Sequence, residues 1–116
     1  MDIDNKLKEL TAARSASHAR LLALNSKTYR AFLEMERAAF ADGAVGRKWK
    51  ELIAVGISVV INCESCMQWH IEKAAQVGAT RDEVLEAVEV GIAMGGGPAT
   101  VSARFALGVM DSIWTG

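Results

Sequence analysis

The stretch Asn62-Cys63-Glu64-Ser65-Cys66-Met67-Gln68-Trp69-His70 holds both cysteines of the chain and one of its two histidines. Two thiols separated by two residues can close a small disulfide ring. At the start of a helix, free backbone N–H groups and the helix dipole favour a thiolate over a thiol. With a helix from about Glu64, residues Cys63, Cys66 and His70 follow the i, i+3, i+7 pattern and share one stripe, His70 lying one turn beyond Cys66. An imidazole at that spacing is placed to take the thiol proton and hold a reactive thiolate. These residue types in this order point to thiol redox chemistry carried by a single helix.

The histidine needs an orienting group, and Glu51, twelve residues before Cys63, is the candidate. Between them, Leu52 to Ile61 is a ten-residue apolar run rich in β-branched side chains, for which a strand is the rival on propensity. No second convincing strand exists for it to pair with, and an unpaired strand leaves its N–H and C=O groups unsatisfied. The run is therefore read as a helix, apolar all round and buried at the centre of a bundle. On one straight helix Glu51 and Cys63 would lie ~18 Å apart. A turn near Asn62 that folds the next helix back brings Glu51 opposite His70 instead.

The pattern Glu51, eleven residues, Cys63-x-x-Cys66, three residues, His70 resembles the signature of the alkylhydroperoxidase-D-like (AhpD-like) branch of the carboxymuconolactone decarboxylase family. The resemblance continues through His70-x-x-x-Ala74-x-x-x-Gly78-Ala79-Thr80 and Gly95-Gly96-Gly97-Pro98-Ala99, and it is strongest over residues 30–114. It implies an all-α fold: a single-domain bundle of about six helices over residues 1–116, assembled as a homo-oligomer, a trimer or a hexamer. It further implies that Cys66 is the peroxide-reactive nucleophile and that Cys63 resolves its sulfenic acid to a disulfide, with His70 and Glu51 as proton relay. The implied activity is thiol-dependent hydroperoxide reduction or, more broadly, disulfide exchange, with no cofactor. Its substrate would be a hydroperoxide or a disulfide, and its reductant an external dithiol, lipoyl-bearing or thioredoxin-like. The resemblance departs at Ser65, where relatives often carry an aromatic residue or histidine.

Other readings of the same residues are possible. A decarboxylase-type lyase is the alternative reaction within the family, but members of that branch typically lack the cysteine pair. A zinc site of Cys63, Cys66 and His70 with Glu51 has the right ligand types, yet structural zinc sites usually draw on two separated ligand pairs. A non-catalytic scaffold would show ordinary thiol reactivity, unchanged when His70 or Glu51 is replaced. A thioredoxin fold would need a βαβ unit, and no such alternation occurs. Purely structural cysteines are common in cores but rarely stand with His and Glu at relay spacing.

The 116 residues suit one domain, and 51% hydrophobic with only 6% aromatic residues gives an aliphatic core. A net charge of −1 offers no electrostatic case for nucleic acid or an anionic membrane. The longest apolar run is about half of a membrane span. The start Met1-Asp2-Ile3-Asp4-Asn5-Lys6 lacks the basic-then-apolar order of a signal peptide, so the expected location is the cytoplasm. There, a close cysteine pair is expected to be catalytic, redox-active or metal-binding.

Elsewhere the pattern predicts a helix over residues 3–24, broken near Ser15-Ala16-Ser17, with His18 in a structural role. A second runs from Lys27 to about Ala41 behind an Asn25-Ser26 cap and is closed by Asp42-Gly43. The third starts after Gly46 with Arg47, Lys48 and Lys50 in its first turn, unfavourable there unless compensated, with Glu51 as one candidate. Thr80-Arg81-Asp82-Glu83 is a capping box, and Pro98 opens the last helix. The glycines at 95–97 serve either as a turn or as a point of close backbone approach.

Overall fold

The computed structural model describes residues 2–115. Among them the chain forms six helices and no strand: α1 (Ile3–Ala23), α2 (Lys27–Phe40), α3 (Arg47–Val60), α4 (Glu64–Gln76), α5 (Arg81–Gly95) and α6 (Gly97–Ile113). The all-α class predicted from the sequence is the observed one. The chain divides into two compact units, Met1–Asp42 and Gly43–Gly116.

In the first unit the Asp2 carboxylate accepts from the amides of Asp4 and Asn5 at 3.0 and 3.4 Å and so caps α1. The helix then runs unbroken through Ser15-Ala16-Ser17, against the predicted break. Serine costs a helix only about half a kcal/mol relative to alanine, too little to interrupt an alanine-rich segment. Asn25, in the left-handed region at φ 55°, ends it. The amides of Asn25 and Ser26 close onto the carbonyls of Leu22 and Leu21 at 3.0 and 3.2 Å. Ser26 then caps α2 through the Tyr29 amide at 3.1 Å, and His18 joins the two helices through Nδ1 and the Tyr29 hydroxyl, 2.6 Å apart.

In the second unit α3 packs against α4, α5 and α6, and α6 also covers α4 and α5. The core is made of pairs four residues apart: Val55 and Val59 on α3, Met67 and Ile71 on α4, Val84 and Val88 on α5, all at most 1% exposed. That spacing puts each pair on one helix face, and each such side chain contributes roughly 1.5–3 kcal/mol by leaving water. The prediction that α3 is buried all round is not met. Ile53, Ile57 and Val60 are 56%, 54% and 44% exposed, because three neighbours within this unit cover only part of the helix. With Trp49 of α3 and Val90 and Met94 of α5, they line an open apolar groove of about 610 Å³.

Beneath that groove α3 and α5 cross backbone to backbone. A Cβ at Gly91 would lie 2.7 Å from the Gly56 carbonyl oxygen and 3.1 Å from Val59 Cβ. The glycine triplet serves both foreseen purposes at neighbouring residues. Gly96 turns the chain at φ 71°, while a Cβ at Gly95 would lie 2.7 Å from that of Ala99. α6 starts one residue earlier than predicted, at Gly97, with Pro98 following in its first turn.

α5 opens on the predicted capping box, Thr80 Oγ1 accepting from the Glu83 amide at 3.1 Å and Glu83 Oε1 from the Thr80 amide at 2.9 Å. The other Glu83 oxygen meets Lys48 Nζ of α3 at 2.9 Å, giving one of the first-turn cations its counter-charge. The Thr80 amide and then the Lys48 ammonium hold the Glu83 carboxyl below the usual glutamate range. No helix of the described residues is long and apolar enough to cross a membrane.

Gly91→Val is expected to lower stability in urea unfolding by about 1–3 kcal/mol, the usual range for overpacking. Gly97→Ala, with nothing within 4 Å of the added carbon, should stay within about 0.5 kcal/mol. A Gly91→Val protein as stable as the parent would show that backbone approach does not limit this crossing.

Candidate active site

The site is built on the corner between α3 and α4. Asn62 adopts the left-handed region at φ 53°, a conformation asparagine tolerates better than most residues. The Cys63 amide closes onto the Ser58 carbonyl at 3.1 Å and the Asn62 amide onto Val59 at 3.3 Å. This double closure satisfies the end of α3 and reverses the chain within three residues, Ile61 to Cys63. The turn expected near Asn62 is centred on that residue.

Cys63 is the N-cap of α4, and its sulfur takes the place of the usual cap oxygen, accepting the Cys66 amide at 3.2 Å. Cys63 and Cys66 are joined by a disulfide, their Cα atoms 5.2 Å apart. Both are half-buried. His70 follows Cys66 by four residues within α4, which puts the two on one face.

The reversal also joins Glu51 to His70. Glu51 Oε1 and His70 Nδ1 are 2.8 Å apart across 19 residues of sequence. The Glu51 side chain is 2% exposed and that of His70 15%. A carboxylate so far from water must find its donors in the protein. It finds a second in Arg47, one turn earlier on α3, whose Nε donates to Oε2 at 3.3 Å. Because a carboxylate oxygen accepts, Nδ1 carries the proton in this bond, and Nε2 of the neutral ring is the acceptor.

Of the residues singled out from the sequence, Glu51 is joined to His70 and Cys63 to Cys66, and α4 carries Cys66 and His70 one turn apart. Sequence reasoning placed Arg47 only as a helix-end cation that Glu51 could offset. The spacing i, i+4 between Arg and Glu on one helix was the available signal for more. Among the described residues, no three His, Cys, Asp or Glu side chains come together as a metal-binding set, and the two sulfurs are bonded to each other. Trp69, beside His70, stacks under the Lys73 ammonium, 4.5 Å from its ring centre.

Comparison with known proteins agrees with this architecture. The family model of the carboxymuconolactone decarboxylase family matches residues 26–108. A protein of Paracoccus denitrificans, described as uncharacterized protein 4 in the cox locus, is 40% identical over 83 residues, covering 72% of this chain and 75% of that one. A protein of Cupriavidus necator is 37% identical over the same length, covering 72% and 74%. The crystal structure of an apo carboxymuconolactone decarboxylase family protein from Legionella pneumophila superposes with a TM-score of 0.88 at 30% identity, over 93% of this chain and 96% of that chain. A Thermotoga maritima protein superposes with a TM-score of 0.85 at 25% identity, over 91% and 93%.

Replacing Asn62 tests the corner. Asn62→Val should cost about 1–2 kcal/mol in urea unfolding of the oxidised protein, since a branched side chain is strained at positive φ. Asn62→Gly should lie within about 0.5 kcal/mol of the parent. Equal stability of the valine variant would mean that the left-handed residue does not hold the turn.

Proposed function

This chain belongs to the carboxymuconolactone decarboxylase family, and on that premise we propose that it is a thiol-dependent hydroperoxide reductase or disulfide oxidoreductase of the alkylhydroperoxidase-D-like branch. The observation that carries this reading is the Cys63–Cys66 disulfide at the head of the helix whose His70 is held by the buried Glu51.

In the reduced protein, Nε2 of His70 accepts the Cys66 proton. The thiolate attacks the terminal oxygen of a hydroperoxide; an S–O bond forms, the O–O bond breaks, and the departing alkoxide takes the proton back from the imidazolium. This leaves an alcohol and Cys66 as the sulfenic acid. Cys63 then attacks the Cys66 sulfur; the S–S bond forms and hydroxide leaves as water with the Cys63 proton. An external dithiol gives two electrons and two protons to the disulfide, becomes a disulfide itself, and restores both thiols. Glu51 keeps Nδ1 protonated throughout, so the ring always presents Nε2 to the thiol. A lipoyl-bearing or thioredoxin-like protein is the reductant in this reading, and the chain works in the cytoplasm as a homo-oligomer.

The oligomer has its motive in the groove lined by Trp49, Ile53, Ile57 and Met94, an apolar surface that water leaves at a gain. Size-exclusion chromatography with light scattering should give a trimeric or hexameric mass for the parent and a smaller one for Ile57→Glu. A monomeric parent would remove this part of the proposal.

Stopped-flow oxidation of the reduced protein by tert-butyl hydroperoxide tests the chemistry. Thiol loss should be faster than for a free cysteine, absent at position 66 in Cys66→Ser, and about 100-fold slower in His70→Ala, as for loss of a general base. Sulfenic acid should accumulate in Cys63→Ser. Oxidation of every variant at the rate of a free thiol would sink peroxide reduction and leave disulfide exchange to be assayed with dithiols.

A further inference from the structure

We propose that Arg47 is a positioning residue of the relay, acting on His70 through Glu51; this rests on the reading in which His70 serves Cys66. The two oxygens of Glu51 are divided between two donors, Oε1 to His70 Nδ1 at 2.8 Å and Oε2 to Arg47 Nε at 3.3 Å. A carboxylate held by one oxygen can swing about its terminal bond and offer either oxygen to the ring. Held by both, it has one orientation. A guanidinium can only donate, so Oε2 accepts from Arg47 and Oε1 is left to accept from the imidazole N–H.

Burial makes the second donor matter. Glu51 is 2% exposed at its side chain while Arg47 is 46% exposed, so the carboxylate sits where water cannot replace a lost partner and the guanidinium sits where it can be changed without opening the core. Arg47 and Glu51 are one turn apart on α3, an arrangement fixed by the helix itself. His70 comes from the other side of the corner, on α4. The order along the chain of contacts is therefore Arg47, Glu51, His70, with Cys66 one turn from His70 on the same helix. Arg47 touches neither sulfur nor substrate in this scheme. It holds the carboxylate in one orientation, and through it the direction in which the ring, its Nδ1–H already committed to Glu51, aims Nε2.

The test uses the reduced full chain with Arg47→Met and Arg47→Lys. ¹⁵N shifts of the His70 ring report the tautomer and the strength of the Nδ1 hydrogen bond, and alkylation by iodoacetamide at neutral pH, followed at Cys66 by peptide mass mapping, reports thiolate availability. Neither readout depends on peroxide turnover, so failure of the peroxidase reading is separable from failure of this one. The parent should show a single Nδ1–H tautomer. Arg47→Met should keep that tautomer with a shifted, broadened Nδ1 resonance from a looser hydrogen bond, and alkylate about tenfold more slowly, a part of the roughly 100-fold or more that a general base supplies. Arg47→Lys, which keeps a charged donor at the same helix spacing, should restore the parent Nδ1 shift and come within about twofold of the parent rate. A parent Nδ1 shift and parent rate in Arg47→Met would overturn the proposal. So would a lysine variant as impaired as the methionine one, since only the fold, and not the donor, would then matter.

Discussion

A carboxylate nearly sealed from water is the constraint on which this architecture turns. Glu51 cannot be left without donors there, because an unpaired buried charge costs several kcal/mol (~3–5 when a buried pair is broken). One donor is supplied locally, from Arg47 a turn away; the other comes from His70 on the following helix. Satisfying Glu51 thus fixes the register of α3 against α4, and the register in turn fixes where the head of α4 and its cysteines lie. The left-handed Asn62 is the backbone counterpart of the same requirement. Without a reversal inside three residues, the two helices could not bring positions 51 and 70 together.

Much of this was legible in the sequence for a definite reason. Glu51, Cys63, Cys66 and His70 are chemically scarce residues at spacings that only a helical hairpin reconciles, and chemistry constrains spacing more tightly than packing does. The capping box at Thr80 and Glu83 was equally plain because it is local, made and satisfied within four residues. What the sequence hid was set by distant neighbours. Apolar residues all round α3 predict burial all round, but how many helices surround it is a tertiary fact, and Ile53 and Ile57 stay open. The use of Gly56 in that run likewise depends on a distant residue, Gly91, which lies opposite it on α5. The break expected at Ser15-Ala16-Ser17 failed the other way. There the serines' preference against helix, about half a kcal/mol each, is too weak to break an alanine-rich segment.

α3 illustrates how one segment meets several demands at once. Its first turn carries cations that the helix dipole disfavours, yet Arg47 and Lys48 each find a carboxylate, on α3 itself and on α5. Val55 and Val59 are buried in the core, Gly56 lets α5 approach, and Ile53, Ile57 and Val60 form an apolar surface. A residue shifted by one position along this helix would exchange these faces, since neighbours in sequence lie about 100° apart around it. That is why the ten-residue run could be recognised as helical and still be misjudged in its exposure.

The disulfide closes a loop so short that it adds little to stability. A bridge restricts the unfolded chain in proportion to the logarithm of the loop it closes, and a loop spanning Cys63 to Cys66 contributes only about 2 kcal/mol on that account, against nearly 5 for a loop of about a hundred residues. The backbone around it is meanwhile satisfied without it. The Cys63 amide is bonded to Ser58 and the Cys63 carbonyl to the Met67 amide at 2.9 Å, neither of which involves sulfur. The Cys66 amide reaches the Cys63 sulfur as acceptor, and a thiolate at the same place would accept that bond more strongly than a disulfide sulfur does. Opening the ring therefore removes little from the fold and leaves the freed sulfur a donor already aimed at it. The bonds that close the corner between α3 and α4, and the Glu51–His70 bond across it, are likewise made without either sulfur.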